Sequence, residues 1–402
     1  MRIALLTYST KPRGGVVHTL ALAEALAARG EDVTVWTLGR GGDDGFYRPV
    51  DPSVGLRVVP FPDGGPSEGV GPRILRSIAA LREAFPAGRY DIVHAQDCIS
   101  ANAVPRCLRT VHHVDHFSTP ELAACHERAI TQPFGIICVS RAVADELAAG
   151  WGIRAAVIPN GVDSARFAAA AGPEPAAAAA RRQWRARFGR YVIAVGGIEP
   201  RKGSLDLLEA YARLRRAELA GGGPDVRLVI AGGETLFDYR DYRDAWNKRC
   251  AELFGAVPEA GHEAGHETRH EAGRDGAGAV PAVLGPVAEE ELPSLVAGAA
   301  AFCFPSVREG FGLAALEALA AGVPVVTRSL PVLREVFGGA ARFADDPDGF
   351  AAALGAALAA PGELRAAGQA LAAGYTWAAA ADAHLAVYAD YAGRAWLTRG
   401  AG

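Results

Sequence analysis

No apolar run in the 402 residues approaches the ~18 to 20 needed to cross a membrane. The best candidates are interrupted by Arg308, Glu317 or prolines, and the opening segment Met1–Tyr8 reads as a strand that turns at once rather than as a signal peptide. A cytoplasmic chain is expected, with weak peripheral membrane contact left open. Charge of one sign is also missing. The formal net charge is −4, whereas a protein held to nucleic acid through its phosphates carries a basic excess, so no nucleic-acid partner is expected. Cysteine is sparse: the six are scattered without a C-x-x-C pair, and several sit in apolar runs, as small buried hydrophobes in a reducing compartment do. No G-x-G-x-x-G follows the first strand, which argues against a nicotinamide-dependent dehydrogenase.

The length exceeds what one hydrophobic core fills, and two domains of roughly 150 to 200 residues are expected. Apolar runs at 2–8, 32–38, 56–59, 92–94, 110–112, 136–139 and 156–158 alternate with helical patterns such as 74–85 and 142–149. This alternation predicts parallel α/β structure. A second cycle begins at Tyr191–Val195 and runs through a glycine loop, the helix Ser204–Arg216 and the strand Val226–Ala231. Between the halves, the Ala-rich stretch with Gly172, Pro173 and Pro175 reads as a linker at 169–184. Residues 1–168 with 378–402 form the first expected domain and 185–377 the second, interrupted by a flexible Gly/His/Glu-rich insertion at 259–280.

The most informative stretch is Phe304-Pro305-Ser306-Val307-Arg308-Glu309-Gly310-Phe311-Gly312-Leu313, continuing through Glu317 to Gly322. A strand feeds a turn whose glycines admit close backbone approach, and a helix then presents its positive end, which suits a diphosphate. Glu317 lies about five residues into that helix, roughly 7 Å along its axis and within the reach of a ribose. Glu309 precedes the turn and faces a sugar.

This string resembles the E-x7-E signature of the retaining glycosyltransferases of family 4. The resemblance covers nearly the whole chain. It implies a GT-B fold, an α/β architecture of two Rossmann-like domains with parallel sheets facing across a cleft. It also implies a nucleotide diphosphate-sugar donor bound by the second domain, an acceptor (small molecule, lipid or glycan) bound by the first, and transfer of a hexose-type sugar with no cofactor or metal required. Lys202, in Val195-Gly196-Gly197-Ile198-Glu199-Pro200-Arg201-Lys202-Gly203, matches the family lysine on the donor diphosphate. Many members carry Arg where Gly197 stands, and Arg201 is assigned as the second cation. Amides of Phe311, Gly312 and Leu313 complete the anion site, while Glu317 takes the ribose and Glu309 the sugar. Val283 and Gly232, with Gly233, line the base pocket. Gly14 and Gly15 resemble the family's N-terminal glycine pair. Thr110-Val111-His112-His113-Val114-Asp115 resembles the T-x-H segment, giving His112 the active-site role with His113 as the alternative. His94-Ala95-Gln96-Asp97 and Asn160-Gly161 match family segments as structural positions.

His262-Glu263-Ala264-Gly265-His266 and His266-Glu267-Thr268-Arg269-His270 fit the metalloprotease pattern H-E-x-x-H. That pattern requires a firm helix, and the surrounding glycines cost ~1 kcal/mol each relative to Ala in a helix interior. A metallohydrolase and a sugar-nucleotide binder without transfer activity are the alternatives carried forward.

Overall fold

The structure, a computed structural model, describes residues 1–65, 68–104, 106–114, 119–232, 239–256 and 279–399. The two H-E-x-x-H matches, Gly233, Asp115 and residues 259–278 of the expected insertion lie outside these. The chain divides into two compact units, Met1–Gly161 with Tyr375–Gly402, and Val162–Gly374.

The first unit runs β1 (Arg2–Leu6), α1 (Gly14–Ala27), β2 (Asp32–Arg40), β3 (Gly55–Phe61), α2 (Val70–Ala84), β4 (Ile92–Ala95), α3 (Cys98–Ala103), β5 (Leu108–Val111), α4 (Pro120–Thr131), β6 (Gly135–Cys138), α5 (Arg141–Trp151) and β7 (Ala156–Val157). Its seven strands form a parallel sheet in the order β3-β2-β1-β4-β5-β6-β7. Both faces of such a sheet are covered, so its strands are apolar throughout. Alternation along β1 shows the consequence: Ile3 and Leu5 pack with Leu20, Ala23 and Leu26 of α1, while Ala4 and Leu6 pack with Ile74, Ile78 and Leu81 of α2.

The second unit holds α6 (Ser164–Ala171), α7 (Pro175–Phe188), β8 (Arg190–Val195), α8 (Ser204–Ala220), β9 (Val226–Ala231), α9 (Arg240–Phe254), β10 (Ala282–Gly285), α10 (Leu292–Gly298), β11 (Ala301–Phe304), α11 (Leu313–Ala320), β12 (Val325–Arg328), α12 (Pro331–Phe337), β13 (Arg342–Ala344), α13 (Pro347–Ala359) and α14 (Arg365–Gly374). Its six-stranded parallel sheet has the order β10-β9-β8-β11-β12-β13. The chain then returns to the first unit as α15 (Trp377–Arg399), whose Ala381 and Tyr388 are fully buried against the α1 side of the first sheet.

One sequence expectation is overturned. Residues 169–184 are no linker, because they form the end of α6 and most of α7 within the second unit. Alanine is the strongest helix former, and Pro175 sits at the first turn, where its fixed φ costs nothing. Tertiary contacts hold the pair in place. Phe167 of α6 is 1% exposed, Trp184 Nε1 donates to Ser294 Oγ at 3.0 Å, and Arg185 Nε donates to the Gly298 carbonyl at 2.9 Å. The changeover accordingly falls at Gly161/Val162, and Trp377 belongs to the first unit.

Candidate functional site

In the second unit the glycine loop after β8 is shaped by close approach. Gly196 has φ +140°, and a Cβ on Gly232 would stand 2.3 Å from the Gly196 carbonyl carbon, so two backbones touch where side chains would not fit. Gly203, at φ +64°, caps a short 3₁₀ turn over Pro200–Lys202 and lies against the Pro305 carbonyl after β11. This seating brings the loop's cations onto Glu309. Lys202 Nζ is 2.5 Å and Arg201 Nη1 3.1 Å from the same oxygen, Glu309 Oε1, and Arg201 Nη2 lies 3.4 Å from Glu199 Oε1. Lys202 also sits 5.0 Å over the Phe304 ring. Burial lowers its pKa, against the opposing charge of Glu309.

The turn after Glu309 buries Phe311 and places Gly312 at φ +96° as the cap of α11, a residue with no side chain to offer the helix. Among the described residues the amides of Gly312, Leu313 and Ala314 find no backbone acceptor, leaving the donor cluster that a helix start offers an anion. Glu317 is half-buried on α11. Burial, with the nearby charge of Glu289, raises its carboxyl from 4.5 to about 8, while Arg166 opposes the shift. Arg166 is itself paired to Glu289, with Nη1 at 2.5 Å from Oε1. Val283 on β10 pairs in register with Ile230 of β9, and Gly232 N donates to the Gly285 carbonyl at 2.8 Å, so both residues stand at the edge where these strands end.

The first unit gathers a second set. Gly14 and Gly15 open α1, whose cap Arg13 contributes no side-chain hydrogen bond. A Cβ on Gly15 would lie 3.5 Å from the His112 ring, so of the two adjacent histidines His112 is the one packed against the start of α1. Burial, assisted by His113 and Arg109, lowers the His112 pKa to about 3, and its Nε2 is buried without a hydrogen-bond partner among the described residues.

Behind it stands a histidine cluster that sequence reasoning missed. His18 lies edge-on to His112 with centroids 4.8 Å apart, and its Nδ1 is 2.8 Å from Asn160 Oδ1. His94 bridges Tyr388 Oη at 2.7 Å and Thr110 Oγ1 at 2.8 Å, and His384 donates from Nδ1 to the Ala380 carbonyl. The available signal was the i, i+4, i+8 spacing of Ala380, His384 and Tyr388 on the inward face of α15. His94 and Asn160 thus hold structural places.

The family described as Glycosyltransferase Family 4 matches residues 12–166, and the one described as Glycosyl transferases group 1 matches 180–370. The chain is 28% identical to a D-inositol 3-phosphate glycosyltransferase of Xylanimonas cellulosilytica, covering 96% of each. It is 29% identical to a phosphatidyl-myo-inositol mannosyltransferase of Mycolicibacterium smegmatis, covering 88% of this chain and 84% of that one. Among solved structures, sucrose-phosphate synthase of Thermosynechococcus elongatus superposes with a TM-score of 0.74 at 19% identity over 97% of this chain and 98% of that one. Anabaena HepE, solved with UDP and glucose, gives 0.68 at 18% identity over 97% and 100%. With two parallel-sheet α/β units and these matches spanning most of its length, the chain belongs to the family 4 glycosyltransferases of GT-B fold.

Proposed function

We propose that the protein transfers a hexose-type sugar from a nucleotide diphosphate-sugar to a hydroxyl acceptor with retention of anomeric configuration. The observation that carries this reading is the convergence of Lys202 and Arg201 on Glu309 beside the uncapped start of α11. Departure of a nucleoside diphosphate builds negative charge on the leaving phosphate, and fixed cations and amides aimed at that charge lower the barrier. Relatives named as mannosyl- and inositol-phosphate glycosyltransferases, and the neighbour solved with UDP-glucose, support a donor of this class.

Without donor, Glu309 serves as counter-ion to both cations. An arriving diphosphate competes for Lys202 and Arg201 and releases the Glu309 carboxylate to accept from sugar hydroxyls. Glu317, held neutral by its surroundings, can both donate to and accept from the ribose hydroxyls. The amides of Phe311, Gly312 and Leu313 face the diphosphate, with Gly232 and Val283 beside the base. In the first unit, neutral His112 offers an uncharged ring nitrogen to an acceptor hydroxyl next to Gly14 and Gly15. The departing phosphate accepts the acceptor's proton, so no protein nucleophile is assigned and no cofactor is invoked.

A sugar-nucleotide binder without turnover is the competing reading, and kinetics separate the two. Incubation with UDP-, GDP- and ADP-sugars should release nucleoside diphosphate from one of them, and Lys202→Ala and Glu309→Ala should each slow that release by roughly 100-fold or more. Near-normal rates in both variants would falsify the assignment, and binding without release from any donor would favour the competing reading.

A further inference from the structure

Lys202 reaches Glu309 because two loops of the second unit are joined through their backbones. Lys202 directly precedes Gly203, whose left-handed conformation (φ +64°) lets it lie against the Pro305 carbonyl, where a Cβ would stand 2.3 Å from the oxygen. On the other side of Lys202, Val307 N donates to the Arg201 carbonyl at 2.9 Å. The loop after β8 is thus seated on the loop after β11, and the 2.5 Å pairing of Lys202 with Glu309 depends on that seat.

Arg328, the last residue of β12, closes the junction from behind. β12 lies between β11 and β13, with Thr327 in register with Phe304 and Arg328 with Ala344. Pro305 and Asp345 follow those two neighbouring strands, and Arg328 takes the carbonyl of each: Nε donates to Pro305 O at 3.0 Å and Nη1 to Asp345 O. Nη2 pairs with Asp206 Oδ2 in the first turn of α8, and the guanidinium sits 5.4 Å from the ring centroid of the fully buried Phe350. A Cβ on Gly203 would lie 3.6 Å from Nη2, so the group fills the angle between Pro305 and the start of α8. One largely buried side chain therefore ties three strand ends to a helix start through a fork of directed donors. Lysine offers the same charge to Asp206 without the fork.

We propose that Arg328 is a positioning residue for the reaction: by holding the Pro305 carbonyl and Asp206 it keeps Lys202 within reach of Glu309 and of a donor diphosphate. The proposal rests on the transferase reading for the word donor alone, since the seating of Lys202 is measurable without turnover. Lys11, Lys202 and Lys248 are the lysines of the chain, so protein carrying isotope-labelled lysine gives three side-chain signals, and Lys202→Arg identifies its own by loss. Followed by NMR against pH, the wild-type Lys202 amine should titrate below the ordinary lysine value of 10.5, because burial outweighs the Glu309 charge. Arg190→Gln is the matched control. Arg190 likewise joins a carboxylate, Glu218, to a carbonyl, that of Leu358, but at the start of β8, the opposite end of the same sheet.

In Arg328→Gln the Lys202 titration should move up towards 10.5 as the amine leaves its buried seat. With the UDP-, GDP- or ADP-sugar that the wild type turns over, kcat for nucleoside diphosphate release should fall about tenfold or more, and Arg328→Lys should fall between the two. Arg190→Gln should lower the melting temperature yet leave the Lys202 signal in place and kcat within about twofold of wild type. An unmoved Lys202 titration or an unchanged kcat in Arg328→Gln overturns the proposal, and so do equal effects in Arg190→Gln, which would mark a general loss of stability. Should Arg328→Gln not fold, Arg328→Lys is judged by the same two readouts. If the wild type turns over no donor, the transferase reading fails, and the lysine titration alone decides whether Arg328 seats Lys202.

Discussion

Glu317 shows how one residue's surroundings set its chemistry. A carboxyl on the first turns of an exposed helix would ionise near 4.5, but here burial and the Glu289 charge hold the proton until about pH 8. The native state keeps a proton that the unfolded chain has released between those values, so stability falls as pH rises through this window. Glu317→Gln removes the titration while preserving the hydrogen-bonding shape. The variant's melting temperature is expected to decline less than wild type between about pH 5 and pH 8 in the absence of donor, as followed by circular dichroism. Parallel curves for the two proteins would show that Glu317 ionises freely. Lys202 presents the converse case: burial lowers its pKa, and Glu309 counters the shift. Removing Glu309 therefore costs the site twice, through the lost sugar contact and through a less firmly protonated lysine.

At the scale of elements, the turn into α11 depends on a backbone that only glycine adopts without strain. Gly312 has φ +96°, and a Cβ there would lie 2.8 Å from the Phe337 ring. Gly312→Ala should cost about 1–3 kcal/mol, lowering the second unit's melting temperature by roughly 2–4 °C per kcal/mol, and should weaken nucleotide binding by moving the α11 amides. An unchanged melt with unchanged nucleotide affinity would show that the turn tolerates a side chain. This turn was legible in the sequence because conformation and chemistry coincide in Gly310-Phe311-Gly312: the residues that permit the bend also bare the amides. The strand and helix alternation was legible for a similar reason, since doubly covered strands must be apolar. Residues 169–184 were misread because alanine and proline signal a linker by composition but a helix by propensity, and only Phe167 and Trp184, through their packing, decide between the two. The ion triad was half visible. Arg201, Lys202 and Glu309 could each be named, yet sequence spacing says nothing of two loops, 107 positions apart, meeting at 2.5 Å.

At the scale of the molecule, α15 closes the core of the unit that the chain left at Gly161. Tyr388 and Ala381 are fully buried, and Trp377, Leu385 and Tyr391 pack around the same cluster as Ile3, Leu20 and Val33. The polar layer is shared too, since His94 of β4 meets Tyr388 Oη and His384 lies 5.6 Å from the His94 ring. Fully burying a large apolar side chain is worth roughly 1.5–3 kcal/mol, so Tyr388 with the partly buried Trp377, Leu385 and Tyr391 supplies a sizeable share of the ~5–15 kcal/mol that holds a whole domain together. Deleting residues 375–402 should therefore unfold the first unit and leave the second, whose own core around Val192, Leu208, Trp246 and Phe350 includes no described residue of α15. Hydrogen exchange reads the two units separately. Amides of β1, β2 and β4 should lose protection in the truncated chain while those of β8, β9 and β11 keep it. Retained protection in β1 would show that the first sheet is stable without its returning helix, and lost protection in both sheets would show that the units fold as one. A gentler variant apportions the effect: Tyr388→Phe keeps the ring and removes only the hydroxyl bonded to His94, and is expected to cost about 1 kcal/mol of the first unit's stability.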